Sequence, residues 1–154
     1  MRLTKQTNYG LRILMYCATN DVGLSRIQDI AKSYGVSETF MFKILQSLVK
    51  AGFVETVRGR NGGIKLAQPA ANITMLNVVK VTEDQFLMAE CFDAEFADCP
   101  LIDACNVNKA LREALNAFFD VLSRYTIADL VENRVSMMTL LGIDAVEGVA
   151  SNPV

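Results

Sequence analysis

Three cysteines carry the most specific chemistry in this chain. Cys91, Cys99 and Cys105 follow C-x7-C-x5-C in a stretch that also holds Glu90, Asp93, Glu95, Asp98 and Asp103. Thiolates bind soft and borderline metals, and acidic neighbours raise a thiol's pKa unless a cation offsets them. Three readings of the trio compete. Disulfides fit a reducing compartment poorly, and an odd number of thiols fits them worse. A structural zinc site needs a fourth ligand and usually more closely spaced cysteine pairs. An iron–sulfur cluster accepts thiolates from a loop, with a fourth ligand that is not cysteine or comes from elsewhere. Chance thiols in a loop kept solvated by its acids are the bland alternative. The fourth cysteine, Cys17, lies near the apolar face of a helix pattern and reads as a small core residue.

A second group of residues could do a different job. Arg58, Arg60 and Lys65 surround Asn61-Gly62-Gly63. Glycines let a backbone approach closely, and arginines suit phosphates or a narrow minor groove. The net charge of -2 over 154 residues hides this concentration. Residues 1–80 hold eleven Lys and Arg against four Asp and Glu, a balance of +7. Residues 81–154 hold four against thirteen, a balance of -9. Such asymmetry points to a polyanion-binding part joined to an acidic part. The absence of histidine removes the usual general base near neutral pH and excludes Ser-His-Asp and Cys-His hydrolases. There is no apolar run of 18 residues, so no transmembrane helix is expected. Residues 1–8 lack the apolar region of a signal peptide, so the expectation is a cytoplasmic protein with reduced thiols.

The elements that must position these residues can be read from periodicity. Leu11, Leu14, Met15 and Ala18 recur as one face of a helix over residues 5–20. Ser25 with Gln28 forms a capping-box pattern for a second helix that carries Ile27, Ile30 and Ala31 and ends at Gly35. Ser37 is placed to cap a third helix, with Phe40, Ile44, Leu45 and Leu48 on one side and Gly52 just past its end. Residues 53–57 and 64–66 read as a hairpin around the glycine turn. Thr74 caps a short helix to about Thr82. Leu111, Leu115, Phe118, Phe119 and Leu122 mark a strongly amphipathic helix over 107–124, and Thr126 caps a shorter one through about Asn133.

Helix, short turn, helix and hairpin is the order of a winged helix–turn–helix. The expected fold class is mainly α with a small β-hairpin, extended by a long dimerisation helix. The expected division is a DNA-binding region over 1–82, a cysteine loop over 83–105, dimerisation helices over 106–134 and a weakly ordered tail over 135–154. In this arrangement residues 38–51 form the recognition helix, whose first residues meet base edges in the major groove. Arg12, Arg26, Ser37, Thr39, Lys43, Arg58, Arg60, Gly62 and Lys65 are the expected DNA-binding residues.

The opening MRLTKQTNYGLRILMYCA, the block SRIQDIAKSYGVSETFMFKILQSLVKAGFVETVRGRNGGIKLA and the cysteine trio together resemble the Rrf-type winged-helix iron–sulfur regulators, which include IscR and NsrR. The resemblance covers roughly residues 1–134. It implies a homodimer formed through the long helix, and one cluster per subunit held by Cys91, Cys99 and Cys105. A 4Fe–4S cluster is the first expectation and 2Fe–2S the alternative. It implies that the cluster controls binding to double-stranded operator DNA, with no membrane and no catalysis involved. NsrR-like relatives complete the cluster with an N-terminal aspartate, and the matching position here is Asn8. IscR-like relatives use a histidine near the last cysteine, and this chain has none. The function so implied is an iron-responsive repressor; the competing reading is a clusterless thiol–disulfide redox sensor.

Overall fold

The structure is a computed structural model and describes residues 2–93, 99–101 and 104–143. Of the acidic loop residues, Glu95, Asp98 and Asp103 lie outside the described residues, as does the end of the expected tail. Helix α1, Lys5–Thr19, is the axis around which the other elements pack. Thr4 caps it by accepting from the Thr7 N–H. Ile13, Leu14, Tyr16, Cys17 and Ala18 are buried, whereas Leu11 and Met15 are only half-buried. The buried arc is wider than the expected stripe, because α1 meets helices and the hairpin on several sides.

Helix α2, Ile27–Tyr34, begins one residue later than the capping-box pattern implies, with Arg26 at the N-cap. Ser25 is not its cap. It pairs instead with Ile64 in an antiparallel bridge, donating and accepting at 2.9 and 2.8 Å. Gly35 ends α2 at φ 63°, a left-handed conformation that favours glycine. Ser37 caps α3, Glu38–Lys50, by accepting from the Phe40 N–H at 3.3 Å. Met41, Ile44, Leu45 and Leu48 are its buried side, and Phe40 sits edge-on to Tyr9 at 5.3 Å.

Strands β1, Val54–Val57, and β2, Gly63–Leu66, form the antiparallel hairpin, with Glu55 opposite Lys65 and Thr56 opposite Ile64. Helix α4, Met75–Thr82, is opened by a reciprocal capping box between Thr74 and Asn77. A second such box, between Thr126 and Asp129, opens the short α6, Ile127–Leu130. The two are joined: the Met75 N–H donates to Tyr125 O and the Ile127 N–H to Ile73 O, both at 2.8 Å. Between them runs α5, Asn106–Arg124, of which Leu122 alone is buried.

The weakly ordered tail expected from residue 135 is corrected over its first part. Arg134–Leu141 forms helix α7, capped by Asn133 and ended by Gly142. Arg134 pairs with Asp21 and donates to Thr19 O at 2.9 Å, and Ser33 donates to Leu141 O at 2.7 Å. These anchors are distant in sequence, so local periodicity carries little trace of them.

Candidate functional site

The first surface lies where α2, α3 and the hairpin meet. A groove of about 460 Å³ is lined by Arg26, Gln28, Asp29, Phe42, Thr56, Gly62 and Gly63, among others. Thr39, Lys43, Arg58 and Arg60 are exposed on α3 and the hairpin turn, and Ser37 is exposed at the α3 cap. The glycines have a structural reason. A Cβ on Gly62 would meet Val57 O at 2.3 Å, and one on Gly63 would meet Ser25 O at 2.7 Å. The close approach is thus to the protein's own backbone, and it seats the hairpin against the segment before α2. Of the groove's lining only Arg26 and Gly62 are expected contacts; Gln28, Asp29, Thr56 and above all Phe42, an aromatic ring 44% exposed, are not among them. The position of Phe42 between buried Met41 and exposed Lys43 was the available signal.

Two expected contacts, Arg12 and Lys65, are engaged by other groups of the chain. Arg12 is half-buried between aromatic rings, 4.9 Å from the Tyr9 centroid and 5.2 Å from that of Tyr34. Burial raises the Tyr34 phenol pKa, and the Arg12 charge pulls it partly back. Lys65 pairs with Glu55 at 2.8 Å on the strand face opposite buried Ile64. Strand alternation turns its ammonium away from Thr56, which lines the groove.

The second candidate site is at the head of α5. Cys105 is the N-cap of that helix, and its sulfur accepts from the Asn108 N–H at 3.4 Å. The side-chain amide of Asn108 donates to Cys91 Sγ at 3.1 Å. Asn108 therefore brings two of the three expected ligands to one place. Cys99 is exposed on the intervening loop. Among the described residues, no three Cys, Asp or Glu side chains converge closely enough to hold a metal ion. The donor chemistry of the paired thiols nevertheless suits a thiophilic iron centre, with Cys99 as the third thiolate. Asn8 is exposed on α1, and among the described residues no hydrogen bond joins its amide to a thiol. Cys17 is apart from all of this. Burial pushes its thiol up to about 12, a hydrogen bond with Ser25 only partly opposing, so it is an inert core residue.

A helix–turn–helix with a two-stranded wing defines the winged-helix class. The same fold is found in IscR from T. potens, with a TM-score of 0.67 at 24% identity, covering 86% of this chain and 88% of that one. The chain belongs to the Rrf2 family, described as iron-dependent transcriptional regulators, whose model matches residues 3–133. It is 65% identical over 144 residues to Protein aau3 of Rhizobium meliloti, covering 94% of each chain. It is 44% identical over 142 residues to the HTH-type transcriptional regulator NsrR of Geobacillus kaustophilus, covering 92% of this chain and 97% of that one. The protein is a DNA-binding transcriptional regulator and not an enzyme. Among the described residues no helix is long and apolar enough to cross a membrane.

Proposed function

We propose that this chain is a cytoplasmic, iron-responsive repressor of the RirA type, the rhizobial iron regulators, working as a homodimer on double-stranded operator DNA. The observation that carries the reading is the convergence of Cys91 and Cys105 on Asn108 at the head of the long helix. Cys91, Cys99 and Cys105 would hold an iron–sulfur cluster, 4Fe–4S in the first instance, supplying an iron centre whose integrity follows iron supply. Asn8 from a second copy is the candidate fourth ligand. An uncharged amide is a weaker iron ligand than a carboxylate, so the site is expected to yield iron to a mild chelator.

Arg26, Ser37, Thr39, Lys43, Arg58, Arg60 and Gly62 would contact DNA, with α3 in the major groove and the hairpin over the backbone. A two-fold dimer through α5 would set two such faces roughly 34–36 Å apart, matching a palindromic operator. The acidic half repels phosphates unless it is held back, and the cysteine loop belongs to that half. A loop held by its three thiolates favours the spaced, DNA-binding dimer; a released loop does not. To move from mostly free to mostly bound requires a preference of roughly 10⁴-fold between the two states.

Anaerobic gel shifts with cluster-loaded and cluster-free protein test this. Strong binding of the loaded form alone is expected, and equal operator affinity of both forms rejects the reading. Iron and sulfide analysis of the same samples separates it from a clusterless thiol–disulfide sensor.

A further inference from the structure

Asn108 occupies the third position of α5 and donates to both thiols that the structure brings together: through its backbone to Cys105 and through Nδ2 to Cys91. The carboxamide has only one orientation open to it. Its Oδ1 accepts from Arg112 Nε at 2.7 Å, and a guanidinium can only donate. Arg112 in turn lies over the ring of Phe92, 4.8 Å from its centroid, and Phe92 follows Cys91 in the chain. The contacts close a ring: Cys91, Asn108, Arg112, Phe92 and back along the backbone.

We propose that Asn108, oriented by Arg112, is the positioning residue that presents Cys91 and Cys105 as a preformed dithiol pair. These two thiols then take up a thiophilic centre first, and Cys99 closes the site last. A long chain separates the two cysteines, and holding its ends together has an entropic cost that the Asn108 pin meets before any ligand arrives. Two N–H donors aimed at sulfur also fix where the two sulfur atoms point and would disperse charge on them once a centre is bound. Cys99 is exposed and, among the described residues, has no hydrogen bond to Asn108.

The inference deepens the cluster reading and rests on it only for the identity of the centre. The first experiment therefore uses metal-free, reduced, full-length protein and phenylarsine oxide, a reagent that bridges two thiols. Each capture forms two As–S bonds while the oxide oxygen leaves as water with the two thiol protons, and no oxidation state changes. Wild type and Cys99→Ala are expected to react at the same rate, with the adduct mapping to Cys91 and Cys105. Asn108→Leu is expected to be about tenfold slower, the scale of losing one hydrogen bond to a charged group.

Asn108→Asp is near-isosteric and keeps Arg112 as an ion-pair partner, but it turns an oxygen toward Cys91. It should react more slowly still, an order that a purely structural role for residue 108 would reverse. Equal rates across the three residue-108 proteins, or an adduct formed through Cys99, would overturn the proposal. Anaerobic reconstitution followed by absorbance supplies the second arm. A wild type that takes up no cluster rejects the cluster reading and leaves the capture result standing. A wild type that takes one up, with Asn108→Asp losing it to chelator no faster, overturns the role of Asn108.

Discussion

The two halves of this molecule solve the problem of covering apolar surface differently. In the reading half, α1 is enclosed by α3, α4, α6 and the hairpin, and even its polar groups find partners. Thr7 lies buried against Thr82 at 2.7 Å, and Glu83 accepts from the N–H of Thr4 at 2.7 Å. In α5 the pattern is reversed. Its apolar stripe is pronounced, yet Leu111, Leu115, Phe118 and Phe119 are only half-buried, and Val107 is 67% and Val121 45% exposed. Helix α4 and the Phe86 ring cover part of α5, but a long helix with one buried residue keeps apolar surface that its own chain leaves open. The first half is enclosed, with α6 and Glu83 helping to cover it, whereas α5 leaves apolar surface open that, on the function proposed above, a second copy would cover.

The sharpest way to break that contrast is to cut into each region in turn. Leu48→Ala removes a fully buried side chain beneath the recognition helix and should cost about 2–5 kcal/mol in urea unfolding. The double substitution Leu111→Glu with Val121→Glu should leave unfolding of the reading half unchanged. It should instead weaken self-association about a hundredfold, or about 2.7 kcal/mol, read by sedimentation at graded protein concentration. If the double variant unfolds as readily as Leu48→Ala, α5 is part of the single-chain core and the comparison fails. A smaller effect belongs to the hairpin. Arg60→Ala should weaken operator binding roughly tenfold and lower the salt slope by about one, with the cluster spectrum unchanged. Lys65→Ala should do less, since Glu55 already engages its ammonium.

What could be read from the sequence follows the same division. The helix–turn–helix was legible because Gly35, Ser37 and the apolar spacing of α2 and α3 are all local signals. Cys17 was legible as core for the same reason. Ser25 was misread because a local S-x-x-Q pattern competes with a bridge to Ile64, and the non-local partner won. Helix α7 was missed because Asp21, Thr19 and Ser33 hold it from far along the chain. At the cysteine site the proposed ligands stand out by their spacing. Asn108 does not, because nothing in its neighbourhood says that its amide meets a sulfur seventeen residues earlier.

The smallest effect concerns the weld between the halves, where the bridge between Thr74 and Thr126 sets two capping boxes side by side. One box uses Asn77 and the other Asp129, so only one of them titrates. The hydroxyl and the N–H of Thr126 both donate to Asp129 at 2.7 Å and hold its carboxyl below the usual range. A carboxyl whose pKa is depressed by folding contributes stability above its unfolded value. That contribution fades as pH falls below about 3.9 and is gone below the folded value. Asp129→Asn should therefore lower Tm at pH 7, and the deficit should shrink on acidification through that window. Asn77→Ala should lower Tm by the same amount at every pH, because no proton is exchanged there. Parallel melts of the two variants from pH 7 downward check this, and a deficit for Asp129→Asn that ignores pH would show that geometry, not charge, holds the weld on the α6 side.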